Sequence, residues 1–467
     1  MHVADGIIYK IIANHMCKRF LLLTAGVLVI SNTVLAQSQK PNGPLTKEYM
    51  FDFGRGRMKT GFTKVLPETV YTPQRGYGID FGSIVTANTR SGKNPMHDGY
   101  LTSGQPFYFS VQLPEGNYHV KLTLGDDQGT SDAAIRAENR RMMVNRVKTL
   151  KGQHKTVEFT LHIRDSSISG TNRTVRLKPR EYAYLHWDDK LTLELNGEAP
   201  KIDAIEITPA PKEVVTVFLA GNSTVVDGAH EPWSAWGQMI PSFFKPGRVA
   251  VANYAESGET LSSFIGARRL EKVLSLIKPG DYAFVEFGHN DQKQKGEGVG
   301  AFTTYKKNLK FFIAEVKKKG ATPVLVTSVQ RRRFDSAGRI VETLGDYPEA
   351  VRQTAKEQGV PLIDLNALSK IMLEAMGPEK SLQVFAHFPA NTFPGQDKAI
   401  EDNTHFRPYG AYEIAKLVVK GIRESGTGLA SLLKDDIAEI DPAKPGKIES
   451  FYWPLSPGKE ATKPDGD

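Results

Sequence analysis

The hydrophobic rhythm of the chain changes once, near residue 210. From about Tyr49 to Thr208, apolar and polar residues alternate in short runs, as in Phe107-Tyr108-Phe109-Ser110-Val111, Tyr118 to Leu124, Thr156 to His162 and Lys190 to Leu195. Period-two alternation puts the apolar side chains of a strand on one face. Turn-forming stretches such as Leu113-Pro114-Glu115-Gly116-Asn117 separate the runs, so residues 48–208 are predicted to form an all-β sandwich. After Pro209-Ala210-Pro211 the apolar runs become nearly continuous: Val214–Leu219, Val249–Tyr254, Tyr282–Phe287, Pro323–Thr327 and Pro361–Leu365. Strands of that kind are buried on both faces of a parallel sheet. Helical patterns at Tyr305–Lys319, Tyr347–Gln358 and Ala411–Glu424 lie between and after them, which predicts an α/β domain over 212–428. A Pro- and Lys-rich tail, 436–467, follows.

The N-terminus carries a different signal. Lys18-Arg19 precede an apolar run, Phe20 to Ile30, and Val34 and Ala36 stand at the −3 and −1 positions of a cleavage site. Residues 1–36 are therefore expected to be a signal peptide, translated from Met1 or Met16, with 37–47 as a linker. The apolar run is too short for a permanent membrane anchor. The expected location is secreted or periplasmic. The one cysteine, Cys17, falls inside the signal, so the mature chain has neither a thiol nucleophile nor a cysteine-bound metal. The formal charge is +8, of which Lys10, Lys18 and Arg19 against Asp5 put +2 in the first 36 residues. A basic balance suits polyanionic partners but does not choose among them.

Chemistry enters at the strand ends. The strand Val214–Leu219 runs into Ala220-Gly221-Asn222-Ser223-Thr224, where small residues allow a tight turn that exposes a hydroxyl above the sheet. Near the other end stands Asp402-Asn403-Thr404-His405. In a turn, that spacing lets the Asp carboxylate reach the imidazole Nδ1–H, fixing the tautomer that takes a proton from serine. Taken alone, each segment also reads as an ordinary cap or turn. Gly258, in Asn253-Tyr254-Ala255-Glu256-Ser257-Gly258, and Asn290, in Gly288-His289-Asn290-Asp291-Gln292, follow the next two strands. With the Ser223 N–H they are candidate donors to an ester's tetrahedral oxyanion.

Ser223, Gly258, Asn290 and His405, in this order after successive strands, resemble the four blocks of the SGNH (GDSL-like) hydrolases. Within that superfamily the chain is most similar to the rhamnogalacturonan acetylesterases, through these blocks and through Pro232-Trp233-Ser234-Ala235-Trp236-Gly237 and Val329-Gln330-Arg331-Arg332-Arg333-Phe334. The resemblance implies a flavodoxin-like three-layer α/β sandwich with a parallel sheet, a Ser223-His405-Asp402 triad, no cofactor, no metal and removal of acetyl groups from pectic rhamnogalacturonan. The family often has Asp where this chain has Asn222, which bears on the positioning of the turn. The N-terminal β domain resembles galactose-binding-like modules through Phe51-Asp52-Phe53-Gly54.

Arg331, Arg332 and Arg333 are candidate binders of uronate carboxylates, since guanidinium forks suit planar anions, although an internally paired run fits the same residues. Trp233 is a candidate sugar-stacking residue, with core packing as its other reading. HExxH, GxxxxGK[ST] and GxGxxG after a strand are all absent, which argues against a zinc peptidase, a P-loop enzyme and a dinucleotide reductase. The expected partner is an acetylated acidic polysaccharide, with no nucleic acid and no stable membrane insertion after signal removal. Two alternatives stay open: the same chemistry on another acetylated glycan such as xylan, and an inactive carbohydrate-binding protein.

Overall fold

The computed structural model describes residues 47–91, 94–458 and 463–465. The expected signal peptide and all but the last residue of the expected linker lie outside the described residues.

The alternating segments pair into two facing sheets. One has the order Gln153–Ile163, Gly116–Asp126, Lys201–Pro209, Tyr49–Phe53, Thr63–Val65, with Gly99–Thr102 and Thr86–Thr89 attached at its side. The other runs Tyr77–Asp80, Phe107–Gln112, Lys190–Ala199, Ser131–Ala137, Arg141–Thr149. Their inner faces bury Phe51, Phe53, Phe107, Phe109, Leu122, Leu193 and Ile205 in one core. Burying these apolar faces against each other is what holds a sandwich together.

Beyond Pro209 five strands form a parallel sheet, in the order Val249–Asn253, Val215–Gly221, Tyr282–Glu286, Thr322–Val326, Leu362–Ile363. Alternate residues of one strand enter different cores. Val217 and Leu219 pack under the helices Trp236–Met239, Leu365–Lys380 and Pro408–Glu424. Phe218 and Ala220 pack under Leu261–Gly266, Arg269–Leu276, Lys306–Lys318 and Tyr347–Gln358. Two apolar faces need two helical layers, so the α/β part has three layers. The final sheet strand is shorter than its pattern, because the Asp364 side chain accepts from the Ala367 N–H and starts a helix there.

The sandwich and the α/β part are joined by buried ion pairs. Arg141 meets Asp227 at 2.8 Å, and Arg269 meets Glu181 at 2.5 Å, with all four side chains at 1% exposure or less. Ions removed from water this thoroughly hold their places only with a partner. The tail also belongs to this junction. Trp453 stacks under the Arg136 guanidinium at 3.7 Å and donates Nε1–H to Glu231 at 2.8 Å. Ser456 Oγ donates to Glu194 at 2.7 Å.

Candidate active site

The chain passes from Val215–Gly221 to Val249–Asn253 on one side and then crosses to Tyr282–Glu286 on the other, so the strand order reverses there. The carboxyl ends of strands at such a switch point leave a crevice. Ser223 follows directly. Gly221 is required there, since a Cβ on it would lie 2.4 Å from Val225 Cγ2. Asn222 Oδ1 accepts from the Thr224 N–H at 3.1 Å and the Thr224 hydroxyl at 2.9 Å. Asn222 thereby supplies the turn-closing acceptor that an Asp would supply at this position.

Ser223 Oγ lies 2.8 Å from His405 Nε2, and His405 Nδ1 lies 2.7 Å from Asp402 Oδ2, although 182 residues separate the serine from the histidine. Serine, histidine and aspartate are 5%, 1% and 1% exposed. The Asp402–His405 segment is not the free turn expected from its spacing. It lies in the strand Ile400–Phe406, paired with Phe385–Phe388 with a register irregularity. Asp402 Oδ1 accepts the Thr404 and His405 N–H groups at 2.7 and 2.9 Å, curling the strand so that residues three apart meet. Burial alone would raise the Asp402 pKa, but the His405 hydrogen bond and charge, with those N–H groups, hold it below the usual carboxylate range. The carboxylate therefore stays ionised beside the imidazole.

Ser223 and His405 open into a cavity of about 170 Å³. Trp233 is one wall, its ring edge-on to His405 with centroids 6.2 Å apart, and it packs against Ala386, Phe393 and Ile400. Gly258 and Asn290 line an adjoining cavity, with Asp465 on the lining of both. Gly258 has φ of +77°, a conformation that favours glycine. Asn290 Nδ2 donates to the Glu259 carbonyl at 3.0 Å, which uses one of its two amide hydrogens and anchors the group.

Arg331, Arg332 and Arg333, the candidate uronate-binding set, do not line either cavity, and the first two fit the alternative reading of an internally paired run. Arg331 Nε donates to Thr404 Oγ1 at 3.2 Å. Arg332 reaches Asn403 Oδ1 at 3.0 Å and the Pro378 carbonyl at 2.6 Å. Both brace the strand that carries Asp402 and His405, while Arg333 is exposed. Sequence reasoning missed several lining residues instead: Arg180 and Tyr184 from the β-sandwich, Asp227, and Lys463, Pro464 and Asp465 from the tail. None has a local motif; only Asp227, a few residues past Ser223, was near enough in sequence to be suspected.

Among the described residues there is no group of three or more His, Cys, Asp or Glu side chains placed to hold a metal ion. No helix among them is long and apolar enough to cross a membrane.

A buried imidazole between a carboxylate and a hydroxyl at the rim of a parallel sheet defines a site equipped for acyl transfer through serine. Residues 198–411 match the GDSL-like lipase/acylhydrolase family, and residues 49–171 match a galactose-binding-like domain of the β-agarase/YXIM esterase type. Rhamnogalacturonan acetylesterase RhgT of Bacillus subtilis (strain 168) is 48% identical over 220 residues, covering 47% of this chain and 94% of that protein. The uncharacterized esterase YxiM of the same strain is 28% identical over 390 residues, covering 81% of this chain and 92% of that protein. A crystal structure of the YXIM protein from Bacillus subtilis is 26% identical and covers 82% of this chain and 99% of that one, with a TM-score of 0.43. The chain belongs to the GDSL-like lipase/acylhydrolase family and is a carboxylic ester hydrolase.

Proposed function

We infer that the protein is an exported carbohydrate esterase that removes acetyl groups from pectic rhamnogalacturonan, with Ser223 as nucleophile, His405 as general base and Asp402 as its orienting acid. The observation that carries this reading is the unbroken chain of contacts from Asp402 through His405 to Ser223, at 2.7 and 2.8 Å, opening into a cavity. The 48% identity to RhgT supports the pectic substrate. The basic and then apolar stretch at the N-terminus supports export to a secreted or periplasmic location.

His405 Nε2 takes the Ser223 proton as Oγ attacks the acetyl carbonyl carbon. The oxyanion is held by the Ser223 and Gly258 N–H groups and the Asn290 amide, donors fixed before the charge develops. Collapse of the tetrahedral species breaks the bond to the sugar oxygen, which leaves with the proton from His405. Water then attacks the acetyl-serine by the same steps, releasing acetate. Asp402 keeps the imidazole in the tautomer that receives the proton and stabilises the imidazolium. The chemistry requires no redox group.

Replacing Ser223 by Ala is expected to lower acetate release from acetylated rhamnogalacturonan by at least about 10⁴-fold while leaving thermal unfolding unchanged. Turnover at the wild-type rate in that variant overturns the assignment. Acetylated xylan assayed in parallel distinguishes the pectic substrate from another glycan.

A further inference from the structure

The wall of the Ser223 cavity comes from three distant parts of the chain, and one contact on it has the chemistry of ligand recognition. The short turn Pro179–Ala183 of the β-sandwich is fixed from below: Glu181, fully buried, accepts from Arg269 at 2.5 Å and from Trp187 Nε1 at 3.0 Å. The turn therefore holds Arg180 rigidly at the cavity edge. Arg180 Nε and Nη2 contact Glu256 at 2.9 and 2.6 Å, and Nη2 also donates to the Ser257 carbonyl at 2.9 Å. The remaining arm, Nη1, donates to the Asp465 carboxylate.

Asp465 stands where the two cavities meet. It lines the one that holds Ser223 and His405 and the one that holds Gly258 and Asn290. A Cβ on Gly258 would lie 2.9 Å from Asp465 Cβ and 3.4 Å from Lys178 Nζ, so the carboxylate sits directly over the glycine. Lys178, which pairs with Glu259 at 3.0 Å, and Lys293 line the second of these cavities. With the tail in place the cavity at Ser223 holds about 170 Å³, below the roughly 300–1,000 Å³ of sites that enclose larger ligands.

We propose that Arg180, with Lys178 beside it, is a carboxylate-binding subsite for a uronate residue of the acetylated polysaccharide, and that Asp465 of the chain's own tail occupies it in the absence of substrate. The proposal rests on the reading of the protein as an esterase of acidic polysaccharide and names the element that recognises the acid. A guanidinium arm beside a planar carboxylate is a contact that a sugar acid reproduces and a neutral sugar does not. The β-sandwich thus acts as part of the substrate cleft. A uronate entering the subsite displaces Asp465 and joins the two cavities, with the polysaccharide's acetyl ester directed to Ser223.

The test uses full-length protein with 4-nitrophenyl acetate as reporter, trigalacturonate as acidic competitor and xylotriose as neutral control. Trigalacturonate is expected to inhibit competitively. Asp465→Ala is expected to lower its inhibition constant at least threefold, because the occupant is gone. Arg180→Gln is expected to raise it at least tenfold, and the double variant to behave as Arg180→Gln does. Xylotriose is expected to distinguish none of them. Equal trigalacturonate constants in wild type and Asp465→Ala overturn the proposal, as does a shift in Arg180→Gln of the same size for xylotriose. Asp465 is on an exposed part of the tail, with a side chain 61% exposed, so its variant carries the test even if Arg180→Gln unfolds. The pectic reading fails by a separate outcome, in which wild type hydrolyses the reporter and releases no acetate from acetylated rhamnogalacturonan.

Discussion

Two sets of arginines behave in opposite ways. Arg331, Arg332 and Arg333 are adjacent in sequence and close to the strand that bears His405, yet none reaches the cavity. Arg141 and Arg180 are 39 residues apart in the other half of the chain, and each contacts a buried acid: Asp227 at 2.8 Å and Glu256 at 2.6 Å. Arg331 and Arg332 turn to neutral acceptors, Thr404, Asn403 and the Pro378 carbonyl. Adjacency does not set the difference, since Arg140 beside Arg141 also pairs with a buried acid, Glu231, at 2.7 Å. These arginines of the sandwich face buried carboxylates of the α/β part, and the pairs pin one domain against the other. Charge density along the chain was therefore a poorer guide to the site than the position of the acids.

The largest expected effect sharpens this contrast. Arg141→Ala leaves Asp227 and its Asn253 hydrogen bond, 2.8 Å long, without the cation that balances a fully buried carboxylate. Denaturant unfolding is expected to show a loss of about 3–5 kcal/mol. A loss under about 1 kcal/mol means that the pair is not what joins the domains.

A middle effect depends on pH. Burial, then the nearby Glu181 charge, raises the Glu256 pKa to about 7, and Arg180 opposes them. A carboxyl whose folded pKa lies above its unfolded value gives stability that is complete below the unfolded value and lost as pH rises through the folded one. Arg180→Gln removes a group that restrains the rise, so its penalty grows from pH 5 to pH 8. The gap in Tm from wild type is expected to widen by about 2 °C across that interval. A gap that narrows with rising pH breaks the proposed coupling.

The smallest effect is the control. Arg333 is exposed, and Arg333→Ala is expected to change stability by less than about 0.5 kcal/mol and to leave the response to trigalacturonate unaltered. A selective loss of trigalacturonate inhibition in that variant restores the triplet as the acid-binding element.

Much of the fold was legible along the chain because its cause is local. The continuous runs at Val214–Leu219 and Tyr282–Phe287 appear as the strands Val215–Gly221 and Tyr282–Glu286, since burial on both faces leaves no place for polar alternation. The helix expected at Ala411–Glu424 begins three residues earlier, at Pro408, a residue suited to a first helical turn. The segment Asp402–His405 was legible as a pair but not as a strand: its carboxylate hydrogen-bonds its own backbone, which overrides the two-residue period. The tail after Asp436 has no periodicity at all. Its path is set by single anchors, Trp453 on Arg136 and Ser456 on Glu194, which no spacing announces.

By itself the sequence determined the two textures, the order of strands and helices, and the turn that exposes Ser223, because hydrophobic period and small residues act over a few positions. Only the tertiary structure decided that His405 meets that serine, that Arg180 of the sandwich faces the same cavity, and that Asp465 lies between. Ion pairs and hydrogen bonds between residues far apart in the chain depend on packing geometry and leave no period in the sequence.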